Sequence, residues 1–235
     1  MMISEIFNEQ DLLIFDQEIR AFLEEPAELQ YVVESSIPGV EVLLSYEEGA
    51  LKSATAQRGL VTTSVKTILT LPLTFVPLRK ESSVPDYLEV RADVYMEDAA
   101  FERFNQERRE KNLPAFCDPR EAVEDSLYQT DARISVKRPL NYFCSGSAKR
   151  AGLPAVTHYE LMLALQELGL RVNRPHLQVK NGIHELIDHC RRLQAEKGDF
   201  PYSVQGALIR LNSLELQAKL GQSSGNQKGK VLFRF

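Results

Sequence analysis

The sequence contains no tryptophan and only three cysteines, Cys117, Cys144 and Cys190, which stand far apart without a Cys-x-x-Cys pair. That spacing supports neither a disulfide framework nor a zinc site, and it fits free or buried thiols in a reducing compartment. Long apolar runs are missing as well. None approaches the roughly 20 residues of a membrane span, and the acidic amino-terminal stretch lacks the basic and apolar regions of a signal peptide. The expectation is a cytoplasmic protein that does not enter a membrane. Basic charge is in deficit: 28 Lys and Arg against 33 Asp and Glu give a formal net charge of −5 and a pI near 5.5. No global field then attracts nucleic acid or an anionic surface, so such binding has to come from a local site. Gly-rich phosphate loops and the HExxH and GxSxG signatures are also absent. His184 and His189 are five residues apart, not the three or four that would align two imidazoles on one helix face, so no metal pair is expected.

What is present is an ordinary core-forming composition. The 235 residues are 43% hydrophobic and 26% charged, enough for one large or two small domains. An opening helix is predicted from Asn8, an N-cap with Asp11 three residues on, with Leu12, Phe15, Ile19 and Phe22 on one face. Residues 30–34, 40–46 and 50–56 alternate like three strands of a meander, the last two joined through Glu47-Glu48-Gly49. After prolines at 72, 77 and 85 comes a further strand over 86–96. A charged helix follows, in which Arg103, Arg108, Arg109 and Lys111 interleave with Glu102, Glu107 and Glu110, as i,i+4 pairing on a wet face would require. Thr157 and Glu160 form a capping box for a helix ending at Gly169, and a helix over 183–196 precedes the strand SVQGALIRLN. Helices intermixed with antiparallel strands indicate an α+β class.

The stretch QYVVESSIPGVEVLLSYEEG raises the functional question, because strand, turn and strand surround Glu34-Ser35-Ser36-Ile37-Pro38-Gly39. IFNEQDLLIFDQEIRAF, the long run from LEVRADVYMEDAAFERF to ISVKRPLNYF, THYELMLALQELGLRVN, FPYSVQGALIRLNSLELQAKLG and VLFRF occur in this order. In that order they resemble the adenylation (nucleotidyltransferase) domain of bacterial NAD-dependent DNA ligases, over nearly the whole chain. The resemblance implies the DNA ligase-type nucleotidyltransferase fold, an α+β arrangement of antiparallel sheets flanked by helices, with one such domain over residues 1–235. None of that family's NMN-binding, OB-fold, zinc-finger or helix-hairpin-helix modules fits the sequence.

The family's turn reads Glu-Pro-Lys-(Ile/Leu)-Asp-Gly, and its lysine attacks the α-phosphate of NAD. Ser36 stands at the lysine position, where a hydroxyl without a neighbouring base does not replace an amine of lowered pKa. Pro38 stands at the aspartate, while Glu34, Ile37 and Gly39 keep the framework. The Asp-Gly-rich loop after Arg58-Gly59 is cut out, Asp93 replaces a glutamate, and Ser145 falls where an aromatic stacks on adenine. Arg210 and Arg234 replace two catalytic lysines. In DPREAVEDSLYQ, Arg120 is kept, Tyr128 replaces a second phosphate-contacting arginine, and Glu121, Glu124 and Asp125 are added; Lys197 corresponds to a third arginine. Trading basic for acidic groups weakens phosphate binding, so stable clamping of duplex DNA is not expected.

The resulting expectation is a catalytically inactive homologue of the ligase adenylation domain. It would need no cofactor and no metal, and would act as a binding or interaction module for a protein partner. The alternative is a residual binder of an adenine nucleotide or another phosphorylated ligand, using Glu34, Arg58, Asp93, Arg210 and Arg234, with Arg120 and Lys197 as remnants of nucleic-acid contact. A third reading, an enzyme with Ser36 or Lys52 as nucleophile, lacks a visible activating partner.

Overall fold

Asn8 sets the first boundary as its sequence context requires. Its side-chain oxygen accepts the Asp11 amide at 2.9 Å and starts a helix over Glu9–Leu23. The structure is a computed structural model that describes residues 4–75, 84–149, 152–222 and 229–235; Pro77 of the Pro-rich stretch lies outside them. The elements begin with β1 (Ser4–Ile6), α1 (Glu9–Leu23), β2 (Gln30–Ser35), β3 (Val40–Glu47), β4 (Ala50–Ala56), β5 (Gly59–Leu60) and α2 (Thr62–Val65). They continue with β6 (Tyr87–Met96), α3 (Asp98–Glu110), α4 (Pro119–Leu127), α5 (Ala132–Ser135), β7 (Leu140–Lys149) and α6 (His158–Glu167). Last come β8 (Gln178–Asn181), α7 (Gly182–Ala195), β9 (Gly206–Leu211), α8 (Leu214–Gln222) and β10 (Lys230–Arg234). Two compact units emerge, the first comprising Met1–Ser36, Ala155–Glu160 and Asn173–Phe235, the second Ile37–Pro154 and Leu161–Val172.

The first unit is built on a sheet of order β1-β10-β9-β2-β8, antiparallel except for the parallel β1–β10 pair. Leu12 and Ile19 of α1, Leu186 and Cys190 of α7, Val33 of β2 and Ile209 of β9 share one buried cluster. The α1 stripe differs from the expected one. Asp16 is buried on it and accepts the Tyr31 hydroxyl at 2.6 Å, whereas Phe22 is 42% exposed. A buried polar anchor thus turns the helix away from the face that apolar spacing alone selects. The capping box forms as expected: the Glu160 amide donates to Thr157 Oγ1 and the Thr157 amide to Glu160 Oε2, both at 3.1 Å.

The second unit carries the antiparallel sheet β5-β4-β3-β6-β7, with α4 against β6 and β3. Here the meander expectation fails in part. β3 and β4 pair across the Glu48-Gly49 turn, both residues at positive φ, but β2 pairs with β8 and β9 in the other unit's sheet. Residues 36–39 therefore join two units rather than closing a hairpin, because alternation predicts strands and not their partners. The charged helix is α3, and only part of its charge is solvated as expected. Lys111 pairs with Glu107 at 3.8 Å, while the Arg108 guanidinium lies 4.1 Å over Phe116 and donates to the Pro114 carbonyl at 2.7 Å. Gly169 ends α6 at φ 87°, with the Leu170 amide returning to the Leu165 carbonyl. Cys144 and Cys190 are buried, Cys117 is exposed and none of the three forms a disulfide; burial pushes the Cys190 thiol up to about 12. Among the described residues no helix is long and apolar enough to cross a membrane.

Backbone approach constrains β9 most closely. A Cβ placed on Gly206 would run into the Phe233 carbonyl, whereas one on Gly198 meets nothing within 4 Å. Gly206→Ala should therefore lose about 1–3 kcal/mol, the range for forced overpacking. Gly198→Ala should be near neutral in the same urea titration; equal losses at the two positions would contradict the close approach.

Candidate functional site

The first unit holds one end of the motif that opened the question. Glu34 and Ser35 are the last two residues of β2, in register with Leu208 and Ala207 of β9. Ser36 follows directly, and both of its polar groups are engaged with the β9 corner: its amide donates to the Gly206 carbonyl at 2.8 Å, and its hydroxyl accepts the Gln205 amide at 3.1 Å. Beneath it, the Ser35 and Tyr202 hydroxyls meet at 2.9 Å, and the Asn173 amide nitrogen donates to Ser35 at 3.1 Å and to Tyr202 at 2.8 Å. All three side chains are buried, so this network fixes the strand end on which Ser36 sits. Sequence reasoning did not single out Tyr202 or Asn173, and nothing in their local pattern distinguishes them from ordinary loop residues.

Two of the expected ligand residues meet here. Glu34 Oε1 lies 3.5 Å from Arg210 Nε and 3.6 Å from His158 Nε2, with all three residues at least nine-tenths buried. His158 is an unexpected member, supplied by the first residue of α6. Burial by itself raises the Glu34 carboxyl, but His158, the Arg210 guanidinium and Lys230 together hold it below the usual carboxylate range. Burial, followed by the Arg210 charge, pushes His158 down, so its imidazole is the neutral partner of an ionised Glu34–Arg210 pair. Arg234 is engaged elsewhere, donating to Glu5 Oε1 at 2.7 Å and to Gln205 Oε1 at 3.2 Å. Lys197 stands exposed in a short 3-10 turn after α7.

The second unit holds the rest of the motif and the other candidates. Pro38 is the centre of a three-residue turn closed by the Gly39 amide on the Ile37 carbonyl at 2.8 Å, a geometry its fixed φ suits. A Cβ on Gly39 would stand 2.6 Å from the Val94 carbonyl, which accounts for glycine there. Asp93 lies on β6, opposite Glu41 of β3 and Phe143 of β7, and Ser145 is buried in β7. Arg58 occupies the two-residue turn between β4 and β5, a tight hairpin with Ala56 paired to Gly59. Its guanidinium lies 4.3 Å over Tyr128 and donates to Glu124 at 2.9 Å, and its amide donates to the Tyr128 hydroxyl. Arg120 faces the same carboxylate at 3.5 Å and donates to the Gly39 carbonyl at 2.6 Å. The structure thus brings together Glu34 with Arg210, and Arg58 with Arg120.

The buried His158 carries a pH signature. Its folded pKa is below the ordinary 6.5, so on acidification the unfolded chain takes up a proton that the folded chain resists, and stability falls as pH drops below that value. His176 is lowered and His189 is lowered to about 4, both chiefly by burial, and they act in the same direction. Glu34, lowered from 4.5, adds stability that is lost only at more acidic pH. His158→Gln should therefore lose less stability than the parent between about pH 7.5 and about pH 5, read as the change in urea midpoint. An unchanged slope would contradict a buried neutral imidazole.

Comparison with known proteins agrees with this geometry at the level of the family. The model of the NAD-dependent DNA ligase adenylation domain matches residues 1–235. A DNA ligase of Syntrophotalea carbinolica is 34% identical over 230 residues, covering 97% of this chain and 34% of the relative. One from Desulforamulus reducens is 37% identical over 234 residues, with coverages of 97% and 34%. The chain thus spans about a third of the length of the curated relatives it matches. Among solved structures, mycobacterial DNA ligase D complexed with ATP and MES superposes with a TM-score of 0.46 at 10% identity, covering 87% of this chain and 54% of that one. The sequence relatives carry the assignment, together with the two antiparallel sheets and their flanking helices: the chain belongs to the NAD-dependent DNA ligase adenylation domain family and has its α+β nucleotidyltransferase fold.

Proposed function

We propose that this member of the family is a non-catalytic homologue of the adenylation domain that serves as a binding or interaction module, with a protein as its partner, in a bacterial cytoplasm. The observation that carries the reading is the engagement of Ser36. Its hydroxyl accepts the Gln205 amide and its amide donates to Gly206, so the residue aligned with the family's lysine fastens a chain corner. A serine nucleophile needs a base within about 3 Å to take its proton. The hydroxyl's recorded partner is instead a backbone N–H, which takes no proton. Pro38 at the aspartate position fits the same picture, since its ring suits the three-residue turn and offers no carboxylate. Arg210 and Arg234 keep positive charge where the family has lysines, but both face carboxylates of this chain. Arg58 and Arg120 likewise face Glu124, which argues against stable clamping of duplex DNA. No cofactor or metal is required by this reading.

The second reading, a residual adenine-nucleotide or phosphate-ligand site, is favoured by the buried Glu34–Arg210–His158 group, whose Glu34 Oε1, His158 Nε2 and Arg210 Nε and Nη2 have no hydrogen-bond partner among the described residues. Thermal unfolding with and without AMP, ATP or NAD separates the two. A nucleotide present at 100 times its dissociation constant stabilises the chain by about 2.7 kcal/mol, a shift of several degrees. The interaction-module reading expects no shift with any of the three, and expects Ser36→Ala to lose about 0.5–1.5 kcal/mol by leaving Gln205 without its acceptor. A clear shift with one nucleotide would transfer the function to the second reading.

A further inference from the structure

The turns that follow α2 and α5 are tied to one another in the second unit. The Ser135 hydroxyl donates to Ser64 Oγ at 3.2 Å, and Ser64 Oγ donates to the Gln129 carbonyl at 3.0 Å. Further on, the Tyr142 hydroxyl donates to the Thr70 carbonyl at 3.4 Å. The Leu71 amide returns to the Ile68 carbonyl at 3.0 Å and the Lys137 amide to the Ile134 carbonyl at 3.1 Å, so both turns are closed. Their apolar side chains nevertheless face water: Leu69 is 93% exposed, Val136 53% and Ile134 42%. Single exposed apolar residues are ordinary, but three on two joined turns form a patch of the kind that marks an interaction surface. The charge around it is of one sign. Residues 59–75 contain no Asp or Glu and residues 128–142 only Asp131, in a chain whose net charge is −5. Asp131 is held by Arg133 at 2.8 Å, and Arg138 is held by Asp125 at 3.1 Å. Lys66 and Lys137 are exposed and pair with no carboxylate among the described residues.

These features select the occupant. Removing Leu69, Ile134 and Val136 from water needs an apolar counterpart, which a nucleic-acid backbone does not offer, and none of the three is an aromatic on which a base could stack. The lysines beside them in the chain favour carboxylates. We propose that the surface made by the α2 and α5 turns docks an acidic, amphipathic segment of a partner protein, with its apolar side chains on Leu69, Ile134 and Val136 and its carboxylates at Lys66 and Lys137. The proposal rests on the interaction-module reading and adds the place and the chemistry of the contact.

The full chain would be compared with Leu69→Ser, Lys137→Glu and the control Val156→Ser, whose residue is 73% exposed in the first unit. Each is titrated by anisotropy with three labelled probes: a peptide with Leu at helical spacing and Glu elsewhere, its counterpart with Lys in place of Glu, and a nicked DNA duplex. The parent should bind the Glu peptide about tenfold or more tightly than the Lys peptide. Leu69→Ser and Lys137→Glu should each weaken that binding about fivefold or more, and Val156→Ser should stay within about twofold. No binding of the Glu peptide, equal binding of the two peptides, or an equal loss in the control would overturn the proposal. Binding of the duplex in place of the Glu peptide, lost with Lys137→Glu and kept with Leu69→Ser, assigns the lysines to nucleic acid and overturns it as well. Crosslinking in cells separates this surface from the reading it rests on: a protein recovered with the parent should be lost with both patch variants and kept with Val156→Ser. A protein kept by every variant removes the docking surface and leaves the interaction-module reading standing, whereas no protein with the parent removes both.

Discussion

One serine closes the corner on which the motif depends. Ser36 gives its amide to Gly206 and takes the amide of Gln205, fixing the end of β2 to the start of β9. Gly206 can stand there only without a side chain, because the Phe233 carbonyl of β10 occupies the space a Cβ would need. The ends of three adjacent strands meet at this corner, with Ser35 opposite Ala207 and Arg234 opposite Gly206. Glu34 is thereby brought beside Arg210, and Ser35 into the buried network with Asn173 and Tyr202. A longer, charged side chain at residue 36 would forgo the hydroxyl acceptor and leave the Gln205 amide to find another partner. In this chain the hydrogen bond to the corner holds that position.

The charged residues follow one pattern across both units. Four arginines that the resemblance marks as expected phosphate or nucleotide contacts face carboxylates of the chain itself: Arg210 faces Glu34, Arg234 faces Glu5, and Arg58 and Arg120 face Glu124. These pairs differ in physical weight. The Glu34–Arg210 pair is desolvated and sits beside a neutral imidazole, so removing either partner strands a buried charge. The Arg58–Glu124 and Arg234–Glu5 pairs are solvated and hold their partners loosely. A phosphate-bearing ligand would compete with the second kind far more easily than with the first.

Much of the fold was legible because its signals are local. Asn8 with Asp11, and Thr157 with Glu160, bind each other across one helical turn, so a few residues of sequence contain the whole interaction. Gly49 and Gly169 mark their turns for the same reason. What was not legible is long range. Alternation in residues 30–34 and 40–46 identifies two strands but not that they enter different sheets. Apolar spacing in α1 places Phe22 inward, whereas the bond from Tyr31 to Asp16 turns a polar residue into the core. The candidate site shows the same division. Glu34 and Arg210 were identifiable as motif positions, while His158 joins them only through folding. Glu124 was visible as an added negative charge, and its place between Arg58 and Arg120 emerges only through folding, from the β4–β5 hairpin and α4.

The central claim is that residue 36 and its surroundings no longer carry out nucleotidyl transfer. Intact-mass spectrometry of the chain after incubation with NAD, and separately with ATP, in the presence of magnesium tests it most directly. An unchanged mass in both incubations is the predicted result. A stable increase by one AMP moiety, mapped to Ser36 or to any other side chain of this protein, would contradict it.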